Sequence, residues 1–520
     1  MERVISPEIT MLFTTVLCFA SVTIVVLTFL KLSNVRRKTP PGPFGLPVFG
    51  NLFQLGDSPH IALSKMAKVY GSVFSIRLGW RRAIVLNSHD VVKEALSKRA
   101  CHFSSRPPFH SFQIISNGGR SLAFGDFGTG YQRKKKLAMR ALYAVFSNVS
   151  RFDTLAQEVS ERLCSSLTEA ATSEALDFSE QLRTLVINFA FRLTFGDNLK
   201  RDFTLALQNI LRRGTDFVEN SSAINLLDFF PWLHFALRKQ CKALEDSVKE
   251  LIDFFRSVYS LHRHVNVEEA GVNVAATLDR VIQDEMLVTK ANPNGGINME
   301  EAEDDRLDEE SMMTLIADVF GAGIDTVSTA LTWALLFILS NPGLQHDLQA
   351  ELKREVGTER LPTLADRARL PLLQATVLET LRKATVIPLA IPHYASEDSS
   401  VAGYFVPKGT LVLANLWAVN HDPNYFHRPD MFDPYRFLDE NGQVLVAQQA
   451  FTLPFSTGGR RCLGATLAKA QLFMFLGCML QRLNFQLATS KEELSFDGNY
   501  GLTLRPRPFK VYVRPREMRQ

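Results

Sequence analysis

A mainly α-helical body with a small β subdomain, preceded by one N-terminal transmembrane helix, is the architecture that this 520-residue sequence predicts. Three observations carry the prediction. Ile9 to Leu30 is an uncharged run rich in Leu, Val, Ile, Phe and Thr, long enough as a helix to cross a hydrocarbon core about 30 Å thick. From about Asp90 onward apolar residues recur at helical spacing, through Phe146, Leu155 to Ala171, Ser179 to Thr194 and Lys242 to His262. Strand-like pieces stand at both ends of this helical middle, which favours one helix-rich body with a β subdomain over a string of domains.

Taken in order, residues 1–38 read as an anchor with a basic stop-transfer segment. The apolar run is too long for a secretory signal core, no small-residue cleavage pattern follows it, and Lys31, Arg36, Arg37 and Lys38 flank it on one side. The other flank has Arg3 offset by Glu2 and Glu8, so the positive side, and with it the body, is expected in the cytoplasm. A cleaved signal peptide is the competing reading. Asn148 and Asn220 begin Asn-x-Ser sequons, which on a cytoplasmic body are chance matches. Residues 39–50 open with Thr39-Pro-Pro-Gly-Pro-Phe-Gly-Leu-Pro47, which cannot be helical and reads as a stiff linker. Residues 51–520 form the body. Val73 to Leu78 and Ala83 to Leu86, separated by Gly79-Trp-Arg-Arg82, read as a hairpin, and strands return around Ile391 to Pro407 and near the C-terminus. Met299 to Glu310 is acidic and reads as a solvated loop leading into a helix whose first turn favours negative charge.

Composition excludes several classes. The 58 basic and 54 acidic side chains leave a formal net charge of +4, too little for a concentrated phosphate-binding surface, so no nucleic-acid partner is expected. With 46% hydrophobic, 22% charged and 10% aromatic residues, the chain is globular rather than disordered or collagen-like. Its six cysteines (Cys18, Cys101, Cys164, Cys241, Cys462, Cys478) are scattered without a CxxC, which suggests neither a disulfide framework nor a clustered zinc site.

Ser311 to Ser340 is nearly continuous apolar sequence whose only charges are Asp318 and Asp325. Two carboxylates would cost about 2.5 to 3.5 kcal/mol each in a bilayer, so a buried central helix is the better reading than a second span. Its midpoint, Phe320-Gly-Ala-Gly-Ile-Asp-Thr326, places two glycines where each costs roughly 1 kcal/mol, so something must approach closely there. Thr326 can bond back to a carbonyl, and Asp325 beside it is titratable. The pair reads either as proton-handling groups beside a cavity or as a polar patch at a glycine-based helix crossing.

Phe455-Ser-Thr-Gly-Gly-Arg-Arg-Cys-Leu-Gly464 precedes a helical pattern from Ala465 to Leu483. A cysteine before a helix N-terminus has its thiolate favoured by the dipole. With no second Cys or any His nearby, zinc is disfavoured, and without CxxCH covalent haem attachment is excluded. Gly458, Gly459 and Gly464 let a flat ligand lie on the backbone, and Arg460 can pair with an acid on it. One thiolate, a close platform and a cation suit haem; a lone buried thiol is the plainer alternative. Glu379-Thr-Leu-Arg382 places an acid and a base on one helix face in apolar surroundings, with Arg436 as a further partner.

These elements, in this order and spacing, resemble the cytochrome P450 haem-thiolate monooxygenases. The resemblance runs over essentially the whole chain, from the anchor and Pro40-Pro-Gly-Pro43 to the cysteine segment Phe455-x-x-Gly-x-Arg-x-Cys462-x-Gly464. Ile114-Ile-Ser-Asn117, Phe320-Gly-Ala-Gly323, Ile391-Pro-His393 and Gln481-Arg482 look most like the microsomal aryl-hydrocarbon hydroxylases, with the steroid 17α-hydroxylases next. The resemblance implies haem b as cofactor, O2 as co-substrate, and NADPH acting through a reductase. Cys462 would be the axial thiolate, with Phe455, Gly458 and Gly464 forming its platform. Thr326 and Asp325 would deliver protons, and Arg460 and His393 would hold propionates. Glu379, Arg382 and Arg436 would form a structural ion network, and Phe112, Phe217, Asp318, Ala322 and Leu389 would line the substrate cavity. Tyr131 and Lys135 stand where the family's Trp-x-x-x-Arg touches a haem propionate, which a phenol and an ammonium can still hydrogen-bond though the bidentate fork is lost. Pro434-Tyr-Arg-Phe437 stands for Pro-Glu-Arg-Phe, which puts part of the network in doubt.

The implied partners are NADPH–cytochrome P450 reductase, cytochrome b5, the lipid bilayer and a small lipophilic substrate, aromatic, polycyclic or steroid-like. Arg133-Lys-Lys-Lys136 would meet an acidic electron donor or simply face solvent. The implied location is the endoplasmic reticulum membrane, single-pass, with the catalytic body facing the cytoplasm. A reductase-independent isomerase or dehydratase and a non-catalytic haem-binding relative are the other readings.

Overall fold

The computed structural model describes Ser21 and residues 38–169, 174–196, 222–263, 273–291, 308–488 and 494–516. Apart from Ser21, the Ile9 to Leu30 run lies outside the described residues, as do Phe217, Asn220 and most of the acidic 299–310 segment.

The apolar run around Asp318 and Asp325 forms one helix, Glu309–Leu339, the central helix. Asp308 caps it, accepting from the Ser311 N–H at 2.7 Å, and Glu309 and Glu310 follow where the dipole favours acid. Its neighbours are the helices Ser179–Phe195, Pro371–Ala384, Ala465–Arg482 and Arg238–Arg263. From Val327 to Leu339 every side chain is buried. Cover on all sides explains a composition that would also suit a membrane: in its most apolar stretch 78% of residues are buried in protein.

Four strands make the main sheet: β1 (Val73–Leu78), β2 (Arg81–Leu86), β3 (His393–Tyr394) and, after the hairpin of β4 (Ser399–Val401) and β5 (Tyr404–Val406), β6 (Leu411–Ala414). Their order is β1-β2-β6-β3. β1 and β2 pair antiparallel with Leu78 opposite Arg81, so the turn is Gly79-Trp80 alone and not the four residues expected. Arg81 and Arg82 belong to β2, because the Arg81 guanidinium is held there by the Asp228 carbonyl at 2.7 Å and by the Trp80 and Phe109 rings. β6 lies beyond the predicted strand region. It pairs parallel with β2 and antiparallel with β3, and places His393 opposite Val412. Near the C-terminus β7 (Leu483–Leu487) pairs antiparallel with β10 (Val511–Pro515), while β8 (Asn499–Tyr500) and β9 (Leu504–Arg505) form a short hairpin. That hairpin is pinned to the central helix by Trp333 Nε1, which donates to the Leu504 carbonyl at 2.7 Å.

Burial raises the Asp308 pKa, but the Ser311 N–H and hydroxyl and the Arg120 charge outweigh it, and the net shift is downward. A lowered carboxylate stabilises the fold above its unfolded pKa and loses that contribution as pH falls through the folded value. Asp308→Ala should therefore destabilise by about 1 kcal/mol at neutral pH, and urea titrations should show the difference shrinking towards acid pH.

Candidate active site

Cys462 stands two residues before the N-cap Gly464 of helix Ala465–Arg482. Its own N–H donates to the Phe455 carbonyl at 3.0 Å, closing the loop into a compact turn. Gly458 makes that turn possible. It sits at φ +77°, and a Cβ there would lie 1.6 Å from the Leu96 carbonyl oxygen, so no other residue fits. Leu96 belongs to a single π-helical turn, Glu94–Lys98, and Ser97 bonds the Thr457 hydroxyl at 2.7 Å. The Cys462 side chain is reached by solvent. Burial nevertheless pushes its thiol pKa up, and the Gly464 N–H opposes this only in part. Both facts fit a sulfur that faces an internal hollow and is walled by protein elsewhere.

The central helix borders such a hollow. Ala322 is exposed although Phe320 and Ile324 are buried, and a Cβ added to Gly321, Gly323 or Gly464 would meet nothing within 4 Å. Thr326 bonds back to the Ala322 carbonyl at 2.7 Å, the bond its sequence position allows. Asp325 is engaged by Thr503 and Arg505 of the β8–β9 segment.

Around the cysteine loop lies a group of buried and half-buried cations. Arg460 donates to the carbonyls of Ser104, Leu122 and Gly125 at 2.8, 3.0 and 2.8 Å and stacks on the Tyr131 ring at 3.9 Å. Tyr131 and Lys135 both donate to the Gly459 carbonyl, at 3.0 and 2.7 Å. The pair standing at the Trp-x-x-x-Arg position therefore braces the cysteine loop. Arg106, which the sequence reading missed, is buried against the carbonyls of Ile391 and Pro392 at 2.9 and 3.0 Å. Burial, and then the charge of Arg460, lower its pKa to about 9. His393 directs Nδ1 to the Phe103 carbonyl at 2.7 Å, and burial followed by Arg106 holds it neutral. Its one N–H is spent, so it would bind a carboxylate only by taking a proton on Nε2. Mutually repelling guanidiniums beside a hollow fit a ligand that carries carboxylates, and the accessible sulfur fits an iron ligand. The residues present suit haem.

The ion network is complete. Glu379 and Arg382 have no exposed side-chain surface. Arg382 meets Glu379 through Nε and Nη2 at 2.7 Å each, and Arg436 Nε lies 3.1 Å from the same carboxylate. Tyr435 leaves it undisturbed, since its hydroxyl turns outward to Asp347 at 3.0 Å. Of the expected cavity residues, Phe112 and Leu389 share one apolar cluster with Phe109. Asp318 is tied instead to a loop, accepting from Ser121 Oγ at 2.9 Å and the Leu122 N–H at 2.5 Å.

This architecture matches known proteins. The cytochrome P450 family matches residues 40–513. A steroid 17-alpha-hydroxylase/17,20 lyase of Oryzias latipes is 33% identical over 96% of this chain and 97% of its own length. Cytochrome P450 1B1 of Mus musculus is 33% identical over 92% of this chain and 88% of its own. A solved structure described as a zebra fish cytochrome P450 with progesterone has a TM-score of 0.73 and 29% identity, covering 88% of this chain and 99% of that one. A protein with this fold and cysteine loop is a haem-thiolate monooxygenase, and the chain belongs to the cytochrome P450 family. Members use haem iron and O2 with NADPH-derived electrons supplied through a reductase.

Burial raises the Asp318 pKa to about 6, against the Leu122 N–H and the Ser121 hydroxyl. A raised carboxylate binds more protons folded than unfolded, so its contribution to stability falls as pH rises from the unfolded value through about 6. Measured against Asp318→Asn, wild-type stability should decline over that interval and run parallel above it; parallel curves throughout would contradict the burial argument.

Proposed function

We propose that this chain is a membrane-anchored monooxygenase of the endoplasmic reticulum. It inserts one oxygen atom from O2 into a lipophilic steroid-like or polycyclic aromatic substrate, with electrons from NADPH–cytochrome P450 reductase and cytochrome b5 as a second donor. The balanced reaction is RH + O2 + NADPH + H⁺ giving ROH + H2O + NADP⁺. The observation that carries this reading is the hydroxyl and carboxylate of Thr326 and Asp325, placed where the central helix borders the hollow. Bound haem supplies the activation of dioxygen and the transfer of one oxygen atom. Cys462 would hold it through Sγ, and Phe455, Gly458 and Gly464 would form the surface beneath it. Arg460 and Arg106 would meet its carboxylates, and His393 would do so once protonated. Thr326 would hold a proton at Oγ, with Asp325 replenishing it, in a pocket walled by apolar side chains that exclude bulk water. A rearranging isomerase has no use for such a pair. A non-catalytic relative is disfavoured because neither departure opens the site: Tyr131 bonds the Gly459 carbonyl of the cysteine loop, and Tyr435 turns outward to Asp347, away from Glu379.

Phe112, Phe109, Phe124 and Leu389 support an apolar aromatic or steroid-like substrate, with Ala322 giving it room over the helix. An apolar face supports the membrane reading. The Phe49 ring lies tilted 5.1 Å from that of Phe53 and edge-on 5.8 Å from that of Phe230, which meets Trp232 at 5.3 Å. Phe44, Val48, Phe53, Trp80, Trp232 and Phe235 stand largely exposed around them, more than a solvated surface tolerates without a partner. The one body from residue 51 onward would then follow the anchor of residues 1–38 and the linker directly. Of Arg133-Lys-Lys-Lys136 on helix Thr129–Ser147, Lys134 and Lys135 donate to the Arg120 and Gly459 carbonyls, and Lys136 alone is exposed; with the exposed Arg140 one turn on, it suits an acidic electron donor.

Purified enzyme with reductase, NADPH and ¹⁸O2 should convert progesterone or pyrene to a product bearing one ¹⁸O, and no product should form without the reductase. Product formed from a fatty-acid hydroperoxide alone would favour the isomerase reading. In sealed microsomes added protease should digest the body, and protection of the body would reverse the topology.

A further inference from the structure

The carboxylate beside Thr326 is fixed on both of its oxygens by a distant segment. Asp325 Oδ2 accepts from Thr503 Oγ at 2.8 Å. Oδ1 lies 2.5 Å from Arg505 Nη2, and the pair is half-buried, with 31% of the Asp325 and 27% of the Arg505 side chain exposed. The segment that supplies these groups is itself anchored. Leu504 accepts from Trp333 Nε1 and donates its N–H to the Val386 carbonyl at 2.8 Å. Gly498, at φ +73°, lets the chain enter β8 close against Arg505 and Trp333, where a Cβ would lie 2.8 Å from the Arg505 carbonyl and 3.0 Å from the Trp333 ring. A free aspartate samples several rotamers, whereas one held at both oxygens by a rigid element is confined to a single orientation. The two partners differ in chemistry. Arg505 cannot give up its proton and so fixes charge and direction, while the Thr503 hydroxyl both donates and accepts.

We propose that Arg505 and Thr503 are positioning residues for Asp325: the β8–β9 segment holds both carboxylate oxygens and so sets how protons reach Thr326. The proposal rests on the proton-handling reading of Asp325 given above. Neither residue touches the reacting atoms, and their effect passes through the carboxylate alone.

The test uses full-length holoenzyme with an NADPH–cytochrome P450 reductase and no added substrate. Electrons then leave by two balanced routes: O2 + NADPH + H⁺ gives H2O2 + NADP⁺, and O2 + 2 NADPH + 2 H⁺ gives 2 H2O + 2 NADP⁺. Protons arriving on the correct side favour water. Arg505→Met and Thr503→Val should each raise the peroxide share roughly three-fold, Arg505→Lys should restore most of it, and Asp325→Asn combined with Arg505→Met should add nothing to Asp325→Asn. A second readout needs no turnover. In the ferric holoprotein, Arg505→Met and Asp325→Asn should speed amide exchange around Leu504 and Arg505 alike, without further gain in the double variant. If Arg505→Met does not fold, Thr503→Val removes one bond only and carries the same comparison. Faster exchange with an unchanged peroxide share in the Arg505 and Thr503 variants, while Asp325→Asn raises it, would overturn the positioning role alone. An unchanged share in Asp325→Asn would overturn the proton-handling reading and this proposal with it. Unchanged exchange in every variant would show that the tether does not exist in solution.

Discussion

A carboxylate with no exposed surface organises the side of the molecule behind the cysteine. Glu379 takes two guanidiniums, and a buried pair of this kind is a commitment, because removing one partner costs about 3–5 kcal/mol. The arginines pass the constraint outward. Arg382 donates to the carbonyls of Asn420 and Met431, and Arg436 to that of His427. Asn420 then accepts from the Leu453 N–H at 2.8 Å, and Leu453 accepts from the N–H of Ser456, next to the Phe455 carbonyl that receives the Cys462 N–H. The sulfur is thus placed by a chain of satisfied polar groups that begins at one buried acid.

The central helix uses its charges in the same economical way. Asp318 and Asp325, the two residues that argued against a membrane span, each fasten a different segment over the hollow: the Ser121-Leu122 loop and the β8–β9 hairpin. Between them Gly321, Ala322 and Gly323 leave the helix surface bare, with Thr326 one residue beyond Asp325. Fixed polar ends and a bare middle are what a site needs if it is to bind a large flat group without losing its shape. The buried Arg106 and the half-buried Arg460 on the other side give that group a charged edge to meet.

Much of this was legible in the sequence where chemistry is local. The glycines around Cys462, the Glu379-Thr-Leu-Arg382 spacing and the uncharged length of the central helix are constraints imposed within a few residues, and each stands where the sequence placed it. What escaped depends on contacts that leave no period in the chain. Arg106 sits in a polar loop and takes its meaning from carbonyls 285 and 286 residues away. β6 is a short apolar run whose only sign of being a strand is the parallel partner it finds in β2. The tie from Asp325 to Arg505 spans 180 residues. Tyr435 was misleading for a related reason: the motif suggested damage to the ion network, but adjacent side chains point apart, and Arg436 alone has to reach Glu379.

The central claim is that Cys462, as a thiolate, is the iron ligand of a haem held against the central helix. The carbon monoxide difference spectrum of the reduced, detergent-solubilised protein tests it most directly, recorded for wild type and Cys462→Ser. The account predicts the long-wavelength Soret band of thiolate-ligated haem in the wild type and its loss in the variant. A short-wavelength band in the wild type, or a long-wavelength band that survives the substitution, would contradict it.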